Sequence, residues 1–287
     1  MNTEELLKKI KNIDIQTKEW VETIFSGAYQ SRFKGQGVHF NEVRHYEYGD
    51  DARRIDWTVT AKLNEPYVKE FEEERDLIAI LAIDMSRSQF YETKGTSKLD
   101  RALEIAAILG FSAVSNGDQV GLVLFTDSVE TFIPPMPGKK HMYTILGRLL
   151  NHEPASNQTD IRQLCLTLMN AIRKRSVIFI LSDFICDNYD TEFRRLAKKH
   201  DVIPIIIQDP VEQHIPAGGI VMLKDNETGE EIICDTKSGS FQSAIKSVLS
   251  SRKALRDQMF KSVGVKPLNL LTTDQLIEPL QQYFKSR

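Results

Sequence analysis

The sequence predicts an α/β fold, a doubly wound, mostly parallel sheet with helices on both faces. Continuous apolar runs such as Leu77–Ile83 and Ser176–Leu181 have the length of strands buried on both sides. Between such runs lie segments with helical spacing, where Leu99, Leu103, Ala106, Ala107, Gly110, Ala113 and Val114 line one face. The two patterns alternate through residues 77–210, the order that builds a parallel sheet covered on both sides.

The expected elements follow in order. Residues 3–25 place Leu6, Leu7, Ile10, Ile13, Ile15, Trp20, Val21 and Ile24 at roughly helical spacing, which predicts one or two helices. Residues 26–76 are polar, aromatic and glycine-containing, and read as loops and short strands packed onto a larger body. Strands are expected at 77–84, 119–127, 130–134, 176–183 and 202–208, with helices at 99–116, 141–150, 159–173 and 191–200. Pro134-Pro135-Met136-Pro137-Gly138 reads as a rigid loop. Beyond Asp209, Gly219–Lys224 and Glu231–Cys234 flank a turn containing Asn226 and Gly229, the pattern of a hairpin. A long helix at 241–263, a strand at 268–271 and a helix beginning near Asp274 complete the chain. Three regions result: 1–76, helices and a polar segment; 77–210, the α/β domain; and 211–287, carboxyl-terminal additions.

Composition narrows the function. The formal net charge of −3, with Lys and Arg interleaved among Asp and Glu, gives no electrostatic footprint for nucleic acid or an anionic membrane. Cys165, Cys186 and Cys234 are odd in number and far apart, so neither a disulfide framework nor structural zinc is expected. The charged amino terminus lacks a signal-peptide core, and the apolar runs are too short to span a bilayer. A soluble, cytoplasmic protein is expected.

The informative residues stand where strands end. The first strand of the α/β region runs into Asp84-Met-Ser86-Arg-Ser88, and a later one ends in Ser182-Asp183. In a parallel sheet the carboxyl ends form the crevice where ligands bind. Thr159 and Asp160 open a helix between them. Carboxylates with hydroxyls, and no imidazole or thiolate, make a hard oxygen set suited to Mg²⁺, Mn²⁺ or Ca²⁺. Each piece also has an ordinary reading: Asp at a strand end caps the next helix, Ser is common in turns, and Thr159-Asp160 suits a helix start.

In combination and in this order, Asp84, Ser86, Ser88, Thr159 and Asp183 resemble the metal-ion-dependent adhesion site of von Willebrand factor A domains. The resemblance implies that the serines and the threonine bind metal directly while the aspartates often act through water. It also implies that a partner's carboxylate completes the shell. A glycine often follows the last aspartate in that pattern, and Phe184 stands here instead. The stretch Tyr46-Glu-Tyr48-Gly49-Asp50-Asp51-Ala-Arg53-Arg54-Ile55-Asp56-Trp57, continuing through Ala61-Lys62 to Val68–Arg75, resembles the domain-of-unknown-function 58 family. Those bacterial proteins join such a segment to an A-type domain and are often encoded beside MoxR-type AAA+ ATPases. The resemblance therefore implies an adaptor or cofactor whose protein partner is a MoxR-like AAA+ ATPase or its client, with Mg²⁺ as the favoured ion. Within this stretch, Asp50, Asp51, Arg53, Arg54 and Asp56 are expected to form an ion-pair network, and Trp57 to insert as an apolar anchor.

Catalysis is not expected. Haloacid dehalogenase-type phosphotransferases carry a second Asp two residues after the nucleophilic one, where this chain has Ser86. No GxSxG elbow, Walker A loop or GxGxxG fingerprint occurs, and the six histidines form neither HExxH nor HxH. Cys186 reads as an inert thiol. The competing readings are a metal-dependent hydrolase or phosphatase and a scaffold whose metal site is empty.

Overall fold

The central sheet of this computed structural model follows from the side-to-side alternation of its strands. The structure describes residues 38–47, 50–63, 65–73, 77–92, 95–213, 216, 218–224 and 231–286. The helices expected within 3–25 and the turn at 225–230 lie outside the described residues. Strand β3 (Ile78–Asp84) sends Ala79, Leu81 and Ile83 to one face and Ile80 and Ala82 to the other, all fully buried. β4 (Gln119–Phe125), β6 (Val177–Ser182) and β7 (Asp201–Gln208) do the same. Each fully buried Leu, Ile or Val contributes about 1.5–3 kcal/mol. Two apolar layers with one sheet between them are therefore the stable arrangement.

The helices divide accordingly. On one face lie α2 (Lys98–Ser115), α3 (Lys139–Leu150) and α8 (Ile277–Lys285). On the other lie α4 (Ile161–Ala171), α5 (Asp190–Lys199) and α7 (Gly239–Val263). A short helix, α6 (Pro210–Gln213), follows β7. The sheet runs β10-β7-β6-β3-β4-β5, where β10 is Leu268–Leu271 and β5 is Val129–Met136. All neighbours are parallel except β5, which pairs antiparallel with β4. The doubly wound, mostly parallel sheet expected from the sequence is thus observed. The chain leaves β3 toward β4 and β6 toward β7, in opposite directions, so the crevice between the ends of β3 and β6 is the topological switch point.

Some expectations are corrected. Pro134, Pro135 and Met136 belong to β5 rather than to a loop. An edge strand tolerates proline because only one of its sides needs backbone donors. In the amino-terminal part, β1 (Val38–His45) pairs antiparallel with β2 (Tyr67–Glu73), and a 3₁₀ turn at Ala52–Arg54 and helix α1 (Trp57–Leu63) lie between them. Two aspartates of the charged cluster there cap helical turns. Asp51 accepts from the Arg53 N–H at 3.0 Å, and Asp56 from the Thr58 and Val59 N–H groups at 2.9 and 3.3 Å. Short carboxylates just before a helical turn meet its unpaired donors first. Asp50 takes a bidentate ion pair, but from Arg44, at 2.8 Å through each oxygen. Trp57 is not an apolar anchor: it is 70% exposed at the start of α1, while Val68 in β2 is buried. The carboxyl-terminal hairpin is present as β8 (Ile220–Lys224) and β9 (Glu231–Asp235). Among the described residues no helix is long and apolar enough to cross a membrane.

His200, which closes α5, is 1% exposed, and neither ring nitrogen has a hydrogen-bond partner. Burial, reinforced by the charges of Lys199 and Arg175, holds its pKa down to about 4 from 6.5. The unfolded chain then protonates before the folded one does. Stability is complete above pH 6.5 and falls as the pH drops from 6.5 toward 4. His200→Phe is expected to give a shallower decline of melting temperature across that window, read by thermal melts in a pH series. An unchanged slope would count against this origin.

Candidate metal centre

Three loops at the carboxyl edge of the sheet build the site. The first leaves β3 at Asp84 and turns through a 3₁₀ segment, Arg87–Phe90. Asp84 is 1% exposed, and its Oδ1 accepts the Ser86 N–H at 2.9 Å. This short turn brings the hydroxyls of Ser86 and Ser88 to 3.1 Å from each other. The second loop is tied to the first where the Arg87 N–H donates to the Asn157 carbonyl at 3.1 Å. Thr159 Oγ1 then stands 3.4 Å from each oxygen of Asp84. Asp160, not Thr159, caps α4, accepting from the Gln163 N–H at 3.1 Å, so the ordinary helix-start reading applies to Asp160 alone. The third loop leaves β6, and Asp183 Oδ2 accepts from Ser88 Oγ at 3.1 Å. All five residues singled out from the sequence therefore converge.

Side chains that the sequence did not single out hold this cluster. Ser182 follows Leu181, the partner of Ile83 across the β3–β6 ladder; its hydroxyl donates to Asp84 Oδ2 at 2.6 Å and accepts the Phe184 N–H at 3.1 Å. Asp127 accepts from Ser156 Oγ at 2.8 Å, and Glu130 accepts from the Ala155 N–H at 3.0 Å, pinning the loop that carries Thr159. Lys98, fully buried, places Nζ 2.8 Å from Asp183 Oδ2 and 2.6 Å from Glu212 Oε1. Arg256 of α7 donates to the Asp183 carbonyl at 3.2 Å. A hydroxyl at a strand end and a lysine at a helix start are signals too common for a sequence to mark.

Phe184 takes a left-handed backbone, φ +56°, which glycine adopts freely and a bulky residue rarely does. Its ring is buried edge-on against Phe260 at 5.3 Å and also meets Phe193 and Tyr189. The loop thus keeps a glycine-like turn, and aromatic packing offsets the backbone strain. Cys186 sits nearby, and burial pushes its thiol up to about 12, which makes it a poor nucleophile.

The electrostatics of the two aspartates differ. Burial first, and the charge of Asp183 second, push the Asp84 carboxyl up to about 6. Asp183, by contrast, has the Lys98 ammonium beside it. Burial alone would lower the pKa of Lys98, but the carboxylates of Asp183 and Glu212 more than offset it and hold the ammonium above the ordinary lysine range. Burial raises Glu212, against the pull of Lys98. Among the described residues no three His, Cys, Asp or Glu side chains form a metal-holding group. The cluster has two carboxylates and draws its other donors from Ser86, Ser88 and Thr159. That all-oxygen set fits a hard divalent cation, whose charge would offset the cost of ionising Asp84.

An uncharacterized protein of Mycobacterium tuberculosis is 30% identical over 227 residues, covering 78% of this chain and 72% of the relative. One of Mycobacterium bovis matches equally. Similar solved structures include an aerotolerance-related membrane protein from Bacteroides fragilis, with a TM-score of 0.48 at 14% identity over 73% of this chain and 97% of that one. The SpRpn10 VWA domain is similar with a TM-score of 0.37 at 12% identity, over 71% of this chain and 93% of that one. The family model described as protein of unknown function DUF58 matches residues 42–254, and the chain belongs to that family.

Proposed function

We propose that this protein is a metal-dependent protein-binding module. A divalent cation, Mg²⁺ foremost and Mn²⁺ or Ca²⁺ as alternatives, is held by Asp84, Ser86, Ser88, Thr159 and Asp183. An acidic side chain of the partner completes its shell. The observation that carries this reading is the convergence of Ser86, Ser88, Thr159 and Asp183, from three loops, around the buried carboxylate of Asp84. Ser88 and Thr159 are only half-buried, which leaves a side of the cluster open to a partner.

The partner we infer is a MoxR-type AAA+ ATPase or its client, met in the cytoplasm, with the protein acting as an adaptor rather than as an enzyme. The position where a phosphotransferase of the haloacid dehalogenase type would hold its acid or base is Ser86, and His152 is engaged by Glu130 at 2.6 Å. Capture of the purified ATPase on immobilised protein tests the reading. It is expected in Mg²⁺, and it is expected to be lost in chelator and in Ser86→Ala. Equal capture under all three conditions would favour a scaffold whose metal site is empty.

A further inference from the structure

Lys98 sits against two local rules at once. It occupies the first turn of α2, where the helix dipole disfavours a cation, and it is fully buried, where an ammonium is costly. The capping box of Ser97 and Asp100 already satisfies the start of the helix, so α2 does not need this lysine to begin. What holds it there is the pair of carboxylates: Asp183 on the metal loop at 2.8 Å and Glu212 in α6, beyond β7, at 2.6 Å. Glu212 is itself fixed, since its Oε2 accepts the Asp209 N–H at 3.0 Å.

We propose that Lys98 is a built-in cation that keeps the Asp183 loop in place without metal and sets how tightly the site takes a divalent ion, with Glu212 tuning its strength. This inference rests on the metal-binding reading above. With Asp84 ionised, three carboxylates and one ammonium leave the cluster of Asp84, Asp183, Glu212 and Lys98 with two net negative charges, the number one divalent cation neutralises. Arg256, the other buried cation near Asp183, reaches the backbone carbonyl and has Asp257 at 3.6 Å, so it stands outside this count. Because Lys98 donates to the carboxylate of Asp183, beside Ser88, a metal held by Asp183 would share that carboxylate with the ammonium. Lys98 is therefore a positioning residue that competes with the ion and weakens its binding.

The test is calorimetric titration of Mn²⁺ into the chelator-stripped full chain and three variants. Lys98→Met is expected to bind at least about tenfold tighter than wild type, and Glu212→Gln at least about tenfold weaker. The double variant Lys98→Met/Glu212→Gln, which restores the charge count, is expected to return close to wild type. It also keeps the comparison valid should Lys98→Met alone fail to fold. A lysine that only supported the fold would not give opposite affinity shifts in Lys98→Met and Glu212→Gln. If wild type binds Mn²⁺ and Glu212→Gln binds equally or tighter, or the double variant departs from wild type as far as Glu212→Gln does, the Lys98 assignment falls while the metal site stands. If none of the four proteins binds the ion, both fall.

Discussion

Asp84→Asn is expected to abolish divalent-ion binding and, at neutral pH, to raise the melting temperature of the chelator-treated protein. Both effects have one source. Burial and the neighbouring Asp183 push the Asp84 carboxyl up to about 6 from 3.8, so the ionised group is carried at a cost of order 2–3 kcal/mol in the metal-free fold. Asparagine keeps an oxygen for the Ser86 N–H and a polar partner for Ser182 but carries no charge. At about 2–4 °C per kcal/mol, a gain of roughly 4–12 °C follows. Added Mg²⁺ or Mn²⁺ is expected to raise the melting temperature of wild type and leave Asp84→Asn unchanged. A variant that melts below wild type in chelator would mean that the carboxylate is held for the fold rather than for a ligand.

Phe184→Ala is expected to be among the more damaging single substitutions near the site, at about 3–5 kcal/mol, because a buried ring is lost from a cluster with Phe260, Phe193 and Tyr189. The informative comparison is with Phe184→Gly. Glycine usually costs about 0.5–1 kcal/mol relative to alanine through chain entropy. At φ +56° the order is expected to reverse, since alanine there carries about 1–2 kcal/mol of left-handed strain that glycine escapes. Denaturant unfolding of both variants checks this. A glycine variant clearly less stable than the alanine variant would show that the backbone is not strained at Phe184. Because the Phe184 ring anchors the residue next to Asp183, both substitutions are expected to loosen the loop that presents Asp183.

Much of this architecture was legible in the sequence, for physical reasons that differ between its parts. Strands buried on both faces leave continuous apolar runs, so β3, β4, β6 and β7 were readable, and with them the strand ends that carry Asp84 and Asp183. The spacing of Ser86 and Ser88 places both hydroxyls on one turn, and that local fact survived folding unchanged. What was hidden depends on pairing across the sheet. Ser182 acts because β6 lies beside β3, and Glu212 because α6 follows β7 over the same edge. Neither relation is written in local periodicity. Lys98 looked like an ordinary charge at a helix start, and only its burial reveals otherwise. Trp57 failed in the opposite direction: a large apolar side chain reads as core, yet α1 contributes no buried residue. Pro134 and Pro135 read as a loop because proline disfavours ladders, but an edge position removes that objection.

The most direct measurement is a calorimetric titration of Mg²⁺ and Mn²⁺ into chelator-stripped wild type, Ser86→Ala and Asp84→Asn. Each titration is run with and without acetate as a stand-in for the partner's carboxylate. Wild type is expected to take one ion per chain, more tightly with acetate, and both variants are expected to lose binding. No binding by wild type with or without acetate, or binding undiminished in both variants, would contradict the assignment of Asp84, Ser86, Ser88, Thr159 and Asp183 as a metal site.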